Sequence, residues 1–403
     1  MIFKNPYKDR IDLWINYLIV ILGFTLPISV AANNVVLGLI FILWLVAGNY
    51  RERWEIIRRN RAAVAILLFF SFQIIALLYS SDFKEGLKIL GKERLLLLMP
   101  LILSVVRREF IPRAFSAFLF SMFLSEIISY GLYFGVYNSL PWNHDASKYN
   151  IAPFMTHIAY TPMLAFSVIL LLHRLLEEKP SIIFKVIYTF FIFTMSFNIF
   201  ISGGRAGQVG FIVSILFYVG YRYRREIKKI LLLFSFIITS VILLFFFNPS
   251  FNSRMSQAYY NALSFRKNPN TSTGIRINWA INSLVLAKKH PIFGYGTGSF
   301  PKEYERINKQ VSPHVKSTVQ PHNFYLLTLV QFGVIGLILL FYVFYSFWMV
   351  ANKIKDRHND IRYTFLILFV TIMFSESYLL GHYTTLFFSF TTALLFREKI
   401  EKI

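Results

Sequence analysis

Long apolar stretches separated by short polar or basic stretches make up most of this chain. Twelve such stretches recur along it, each typical of a hydrophobic α-helix. A helix needs about 20 residues to cross a bilayer, so the shorter runs must include flanking residues such as Asn33 and Gln208. Ten or eleven spans is the alternative. The stretches are residues 13–30, 35–46, 62–78, 95–106, 114–137, 157–172, 186–201, 209–218, 230–247, 324–350, 363–379 and 383–396.

This pattern predicts an all-α polytopic membrane protein with about twelve transmembrane helices. Residues 1–247 are expected to hold helices 1–9, and residues 322–403 helices 10–12. Between them, residues 248–321 are expected to form one large loop outside the membrane that contains short helices. The first apolar run follows basic residues as a signal peptide does, but a second run follows closely, so we interpret the first as a retained span.

Composition supports a membrane protein and excludes a soluble or disordered one. Of the 403 residues, 56% are hydrophobic and 15% are charged, and the mean hydropathy is +0.54. Soluble domains average roughly 45–50% apolar and about 25% charged residues. The chain contains no cysteine, which excludes disulfides, thiol nucleophiles and cysteine-ligated metals.

The net charge of +22 is unevenly distributed among the predicted loops. By the positive-inside rule, the loops rich in Lys and Arg are cytoplasmic, which places both termini inside and residues 248–321 at the outer face of the membrane. We expect these charges to meet membrane lipids, and we expect no nucleic-acid partner. The basic loops contain Arg51, Arg53, Arg58, Arg59 and Arg61; Arg107, Arg108 and Arg113; Arg222, Arg224, Arg225, Lys228 and Lys229; and Lys353, Lys355, Arg357 and Arg362.

The predicted outer loop, residues 248–321, is itself basic, with ten Lys or Arg and two acids, Glu303 and Glu305. Residues 275–286 have apolar residues at helical spacing, and residues 291–300 are a glycine-rich turn that we expect near a ligand. Long loops translocate largely regardless of charge, so the excess of positive charge does not contradict the orientation. It indicates an anionic ligand instead.

Two arginines of the predicted outer face are candidate phosphate ligands. Arg205 lies among small residues in Ser-Gly-Gly-Arg-Ala-Gly, where a ligand can approach closely, and Arg276 lies at the start of the predicted loop helix. The alternatives are a snorkelling arginine at a helix end and a solvated surface charge, respectively. Together, the two guanidinium groups could bind the oxygens of a diphosphate in bidentate fashion.

His322, in Pro-His-Asn-Phe-Tyr-Leu at the entry to the tenth predicted span, is the candidate general base. A helix N-terminus and basic surroundings favour neutral imidazole, although a His that only caps or bridges is an equally common explanation. His314 is a weaker candidate of the same kind. Four further residues are candidate supporting positions: His290, Arg94, Arg254 and Asn323.

The acidic residues do not indicate a metal site. The loop has no Asp, and Glu303 and Glu305 do not form the carboxylate pairs that divalent ions or glycosidases use. We therefore expect no metal and no cofactor. Glu126 and Glu376 lie in or near predicted spans, where they could relay protons or pair with a neighbouring polar side chain.

These features together resemble the O-antigen ligase and polymerase superfamily of bacterial inner membranes. The resemblance rests on the arginine of residues 202–207, the run His-Pro-Ile-Phe-Gly-Tyr-Gly-Thr-Gly-Ser-Phe at 290–300, the Pro-His-Asn at 321–323 with residues 326–336, and the large loop between late spans. It covers mainly residues 200–340. The first half of the chain agrees only in hydropathy.

The resemblance implies a metal-independent glycosyltransferase. O-antigen ligases of this superfamily transfer a glycan from undecaprenyl diphosphate to a sugar hydroxyl of the lipid A core at the periplasmic face. Carried over to this sequence, Arg205 and Arg276 would hold the donor diphosphate, and His322 would accept the proton of the acceptor hydroxyl. Direct attack at the anomeric carbon would invert its configuration.

Two other functions stay open at this point. An O-antigen polymerase would use similar donor chemistry with another lipid-linked glycan as acceptor. A transporter of a small anion is the alternative without catalysis. It would predict paired ionisable residues near the middle of the bilayer, whereas the candidate residues here gather at one face.

Overall fold

The computed structural model describes residues 6–247, 249–354 and 356–398, except for a few side chains, among them that of Arg254. These residues form helices joined by turns, which confirms the all-helical prediction for this part of the chain. Short 3₁₀ turns lie at Arg94–Leu97, Arg108–Phe110 and Tyr378–Leu380. The α-helices are α1 (Pro6–Thr25), α2 (Val30–Ala47), α3 (Tyr50–Arg59), α4 (Arg61–Leu77), α5 (Phe83–Glu93), α6 (Leu98–Val105), α7 (Ile111–Tyr133), α8 (His157–Glu177), α9 (Ile182–Ile201), α10 (Arg205–Arg222), α11 (Ile227–Phe247), α12 (Pro249–Leu263), α13 (Gly274–Lys289), α14 (Phe300–Val311), α15 (Phe324–Ile354), α16 (Asn359–Ile372) and α17 (His382–Leu395).

Six of the described helical segments are long and apolar enough to cross a membrane, or seven if the bent pair α3 and α4 forms one span. The fold is therefore that of a polytopic helical membrane protein, but this count does not support twelve spans. The six segments are Val30–Ala47, Arg108–Tyr133, His157–Glu177, Ile182–Ile201, Ile227–Phe247 and Phe324–Ile354.

Length and charge explain the smaller number. The helices α16 and α17 have 14 residues each, which is about 21 Å of helix against a hydrocarbon core of about 30 Å. The 95–106 run is divided between a 3₁₀ turn and the eight residues of α6. The first turns of α1 carry four charged residues, Lys8, Asp9, Arg10 and Asp12.

Helix α8 is the most enclosed of the six segments, with 83% of its most apolar window buried. Its Phe166 ring packs against Phe365 of α16 and Phe387 of α17, with ring centroids 5.0 and 5.6 Å apart. Such a helix has no lipid-facing stripe and instead connects the two ends of the bundle. Of the three cavities described below, two lie near its start and one near its end.

Residues 249–321 contain α12, α13, α14 and the glycine-rich turn. Helix α13 covers the segment predicted to be helical, and the turn lies where it was predicted. The turn packs on α4 and on α15 where Gly333 interrupts α15 with a φ of 63°. A Cβ atom at Gly333 would lie 2.2 Å from the carbonyl oxygen of Ile292, so only glycine allows this close packing.

Candidate active site

His322 lies two residues before α15 with a φ of 50°, a left-handed conformation that is uncommon for a residue with a side chain. Such conformations persist where the surrounding structure holds them, and they cluster at functional sites. The side chain is 23% exposed. It borders a cavity of about 370 Å³ near the start of α8.

Glu376 is the partner of this histidine. The Nδ1 atom of His322 lies 2.7 Å from Oε2 of Glu376, and Oε1 of Glu376 accepts a hydrogen bond from the backbone N–H of Ser377. A carboxylate at Nδ1 favours the tautomer that carries its proton there and leaves Nε2 as the acceptor. The pair therefore has the arrangement of an oriented general base. Of the two roles considered for Glu376, pairing with a neighbouring side chain is the one observed.

Asn323 explains how residues 54 apart in sequence come together. Its Oδ1 accepts a hydrogen bond from the backbone N–H of Leu326 and so caps α15, while its Nδ2 donates to the carbonyl oxygen of Phe374. The N–H of Phe324 also donates to the carbonyl oxygen of Met373. These bonds tie the start of α15 to the end of α16, two residues before Glu376. Asn323 thus positions the pair.

Helix α13 covers the other side of His322. The indole ring of Trp279 stacks on the imidazole, with centroids 5.0 Å apart and an interplanar angle of 18°. Arg276 lies one helical turn earlier on α13, three residues from Trp279, and therefore on a neighbouring part of the same helix surface. Its charge acts on Tyr378. Burial, and then the charge of Glu376, raise the pKa of Tyr378, and the charge of Arg276 opposes this increase. The structure thus brings Arg276 close to the His322–Glu376 pair.

The cavity beside His322 is lined by residues from separate parts of the chain. Glu85 and Lys92 come from α5, Gln331 from α15 and His382 from the first turn of α17. The Nε2 atom of His382 is buried and has no hydrogen-bond partner among the described residues. The lining combines a base, a cation, a carboxylate and amide and imidazole groups, a set suited to a polyhydroxylated ligand.

Arg205 borders a neighbouring cavity of about 330 Å³, together with His157, Ser202 and Ser272. Its Nη2 lies 3.5 Å from Oγ of Ser272, which immediately precedes Thr273 and the start of α13. Three helix N-termini therefore meet here, since α8 begins at His157 and α10 at Arg205. Helix N-termini with an arginine form a favourable environment for phosphate.

The two cavities adjoin at the start of α8. His157 lines the cavity of Arg205, whereas its neighbours Thr156 and Ile158 line that of His322. The cavities of Arg205 and His322 are therefore neighbours, and Arg276 lies on α13, the helix that covers His322. The roles of these three residues remain predictions.

The supporting candidates divide differently. His290 is exposed and its ring contacts that of Tyr295 at 4.3 Å, in the turn that packs on α4 and α15. Arg94 is exposed, and Lys92 rather than Arg94 lines the cavity. The side chain of Arg254 lies outside the described part of the structure. His314 borders a separate surface hollow.

The glycine-rich turn contacts residues that line the His322 cavity. The N–H of Gly298 donates to Oε1 of Gln331 at 2.6 Å, and Gln331 lines the cavity. A Cβ atom at Gly298 would lie 2.3 Å from the backbone nitrogen of Gly86, so the turn packs directly on α5. Phe300, the last residue of the turn, lines the cavity directly, and the rest of the turn contacts it through Gln331.

Sequence reasoning alone did not find several residues that face His322. Trp279 appeared only as an apolar position of a helix, and Gln331, Tyr378 and His382 had no local motif. The available signal was the polar character of Gln331 and His382 in otherwise apolar surroundings. Glu126 is buried within α7 and lines neither cavity. Among the described residues, no group of three His, Asp or Glu side chains is placed to hold a metal ion.

Residues 190–341 match the O-antigen ligase family. The resemblance inferred from the sequence is thus confirmed, and the matched region includes Arg205, Arg276 and His322 but ends before Glu376.

A relative of this chain is an uncharacterized protein of Haemophilus influenzae, which is 27% identical over 207 residues. The alignment covers 48% of this chain and 50% of that protein. The chain thus spans about half the length of the curated relative it matches. This similarity adds no substrate.

Proposed function

We propose that this chain is an O-antigen ligase that transfers a glycan from undecaprenyl diphosphate to a sugar hydroxyl of the lipid A core. The observation that carries the proposal is the His322–Glu376 pair, which borders a cavity near Arg276 and next to the cavity of Arg205. Of these four residues, all but Glu376 lie in the region that matches the ligase family. A base on one side and cations on the other are what transfer from a diphosphate requires.

These groups support a single displacement at the anomeric carbon. The acceptor hydroxyl oxygen attacks the anomeric carbon of the glycan, and the bond from that carbon to the diphosphate oxygen breaks. The proton of the hydroxyl passes to Nε2 of His322, and Glu376 stabilises the resulting imidazolium through Nδ1. Arg205 and Arg276 offset the charge that develops on the leaving diphosphate. A single displacement inverts the anomeric configuration.

The proposal includes the orientation predicted from the basic loops. Both termini face the cytoplasm, and the His322 cavity faces the periplasm of the inner membrane. In a twelve-span arrangement, the short helices α16 and α17 cross inside the bundle, where they are almost entirely buried. A single cysteine in place of exposed Ser317 should react with an impermeant reagent from the periplasm, and one in place of exposed Arg225 should not. The reverse pattern contradicts the orientation.

Deleting the gene distinguishes the ligase from the polymerase alternative. Loss of a ligase leaves full-length glycan on the undecaprenyl carrier and a bare lipid A core. Loss of a polymerase leaves a core capped with one repeat unit, and that band would reject the ligase assignment. Unchanged lipopolysaccharide would reject both and favour the transporter alternative. The deletion should be complemented with wild-type protein to exclude indirect effects.

A further inference from the structure

A third cavity, of about 510 Å³, lies at the opposite end of α8. The His322 cavity contacts α8 at Ile158, whereas this cavity contacts it at His173, fifteen residues later and about 22 Å along the axis. The loop before α7, the loop before α16 and the segment after α17 enclose it. The cations that line it are Arg108, Arg174, Arg357, Arg362 and Arg397.

Arginines outnumber carboxylates in the lining of this cavity by five to two, although Glu398 and Glu52 also act on Arg397 from outside the lining. Two carboxylates, Glu178 and Asp356, also line it, and Asp356 is paired with Arg362. Among the described residues, no carboxylate lies within ion-pair distance of the other four arginines. Burying a cation without a counterion costs free energy, and binding of an anion from solution or from the membrane reduces that cost.

The bonds that hold these arginines use neutral acceptors. Arg174 is 8% exposed, and its Nη2 donates to the carbonyl oxygen of Pro112 and to Oγ of Ser116. Arg397 donates from Nε to the carbonyl oxygen of Val106, and Arg108 donates to that of Arg397. Each guanidinium has five donor hydrogens, so these bonds fix the arginines and leave further donors. Burial and then the neighbouring Arg108 lower the pKa of Arg397 to about 10.

The remaining titratable groups of the cavity bind each other. Nδ1 of His173 lies 3.0 Å from the Asp360 carboxylate, and Nε2 of His173 lies 2.8 Å from Nδ1 of His358. The Asp360 charge is thereby directed to His173 and away from the arginines. Asp360 does not line the cavity, and Glu178, which is exposed, is the only lining acid besides Asp356.

We propose that this cavity binds a phosphate group, with the arginines as ligands. The part of the lining that is not charged is apolar and includes Phe115, Leu170 and Leu394. Guanidinium groups beside an apolar wall match a phosphodiester headgroup with the start of its acyl chains, because basic pockets between helices bind anionic lipids at the cytoplasmic side. Free phosphate shares the headgroup's charge and oxygens but has nothing to place on the apolar wall.

The experiment measures the Tm of the purified full chain in neutral detergent with added phosphatidylglycerol, phosphatidylcholine or inorganic phosphate. Phosphatidylglycerol is expected to raise the Tm saturably, on the order of a few degrees, while phosphatidylcholine has no effect. Equal stabilisation by inorganic phosphate would identify free phosphate as the source. Absence of a shift with both phosphatidylglycerol and inorganic phosphate would overturn the site.

Variants tie the shift to the cavity. The double variant Arg108→Gln with Arg357→Gln removes two exposed arginines, so the fold should persist while the response to phosphatidylglycerol is lost. Arg113→Gln is the matched control, because Arg113 is also exposed, lies in the first turn of α7 within the same helical segment Arg108–Tyr133, and does not line the cavity. A response retained by the double variant, or lost equally in the control, would contradict the proposal.

Discussion

A histidine paired with a carboxylate lies near each end of α8, but the surroundings of the two pairs differ. At one end Nδ1 of His322 meets Glu376 at 2.7 Å, and at the other Nδ1 of His173 meets Asp360 at 3.0 Å. His322 is 23% exposed, borders a cavity and has no described partner at Nε2, whereas His173 is 1% exposed and has His358 at Nε2. A histidine oriented by a carboxylate can act as a base only where its second nitrogen reaches a substrate. The comparison therefore favours His322 as the base of the proposed transfer and a structural role for His173.

The largest effect short of removing the base is expected from its carboxylate. Glu376→Gln keeps the shape of the side chain but loses the charge that orients His322 and stabilises the imidazolium, so the transfer rate should fall about 10²-fold. Glu376→Asp keeps the charge and should retain more activity. Asp360→Asn is the matched variant at the other end, and it should lower the Tm without changing the rate per folded molecule. Equal loss of rate in both would remove the distinction.

Replacement of the arginines tests the leaving-group side of the site. Arg276→Lys and Arg205→Lys keep the charge but lose the planar guanidinium, and each should lower kcat/KM for donor about 10- to 100-fold, as loss of a charge-assisted hydrogen bond does. Arg266→Lys is the control, since Arg266 is an exposed arginine of the same segment with its guanidinium over the Phe265 ring. Normal use of donor by both test variants would show that bidentate binding is wrong.

Lowering the pH should reduce the stability of the protein through the His173–His358 contact. Burial, and then the charge of His173, lower the pKa of His358 from 6.5 to about 4. The unfolded chain therefore takes up a proton that the folded chain does not, and stability falls as the pH decreases from about 6.5 towards 4. Between pH 7 and 5, the Tm of wild type should fall more than that of His358→Gln, by on the order of a degree or two. Parallel curves would contradict this account.

Metal removal should have the smallest effect. In the proposed reaction Arg205 and Arg276, rather than a divalent ion, offset the charge of the leaving diphosphate. Transfer by purified protein should therefore proceed at the same rate in excess EDTA. Activity lost in EDTA and restored by magnesium or manganese would reject this division of roles.

The sequence predicted the parts of this site that a local pattern encodes. Arg205 between small residues, Arg276 at a helix start and His322 before an apolar run each have a recognisable neighbourhood. The pairing of His322 with Glu376 depends on the contact between the ends of α15 and α16, through Asn323, which no local pattern reveals. The same holds for the stacking of Trp279.

Hydropathy likewise predicted where helices form but not where they break. The apolar run at 324–350 gave no sign that Gly333 interrupts it, because the reason is the approach of Ile292 from a distant turn. The bend of 96° between α3 and α4 occurs at Asn60, whose side chain caps α4. Runs such as 363–379 suggested full spans, yet α16 ends at Ile372 so that the following turn can bring Glu376 to His322.

The most direct test of the central claim compares the two histidines in one assay. Purified His322→Ala and His173→Ala proteins are given undecaprenyl-diphosphate-linked glycan and lipid A core, and the initial rate of transfer is measured per folded molecule. His322→Ala should lose about 10²- to 10⁴-fold in rate with its Tm nearly unchanged, because a proton acceptor is removed from a partly exposed position. His173→Ala should keep its rate and lose Tm. Near-normal transfer by His322→Ala would contradict the account.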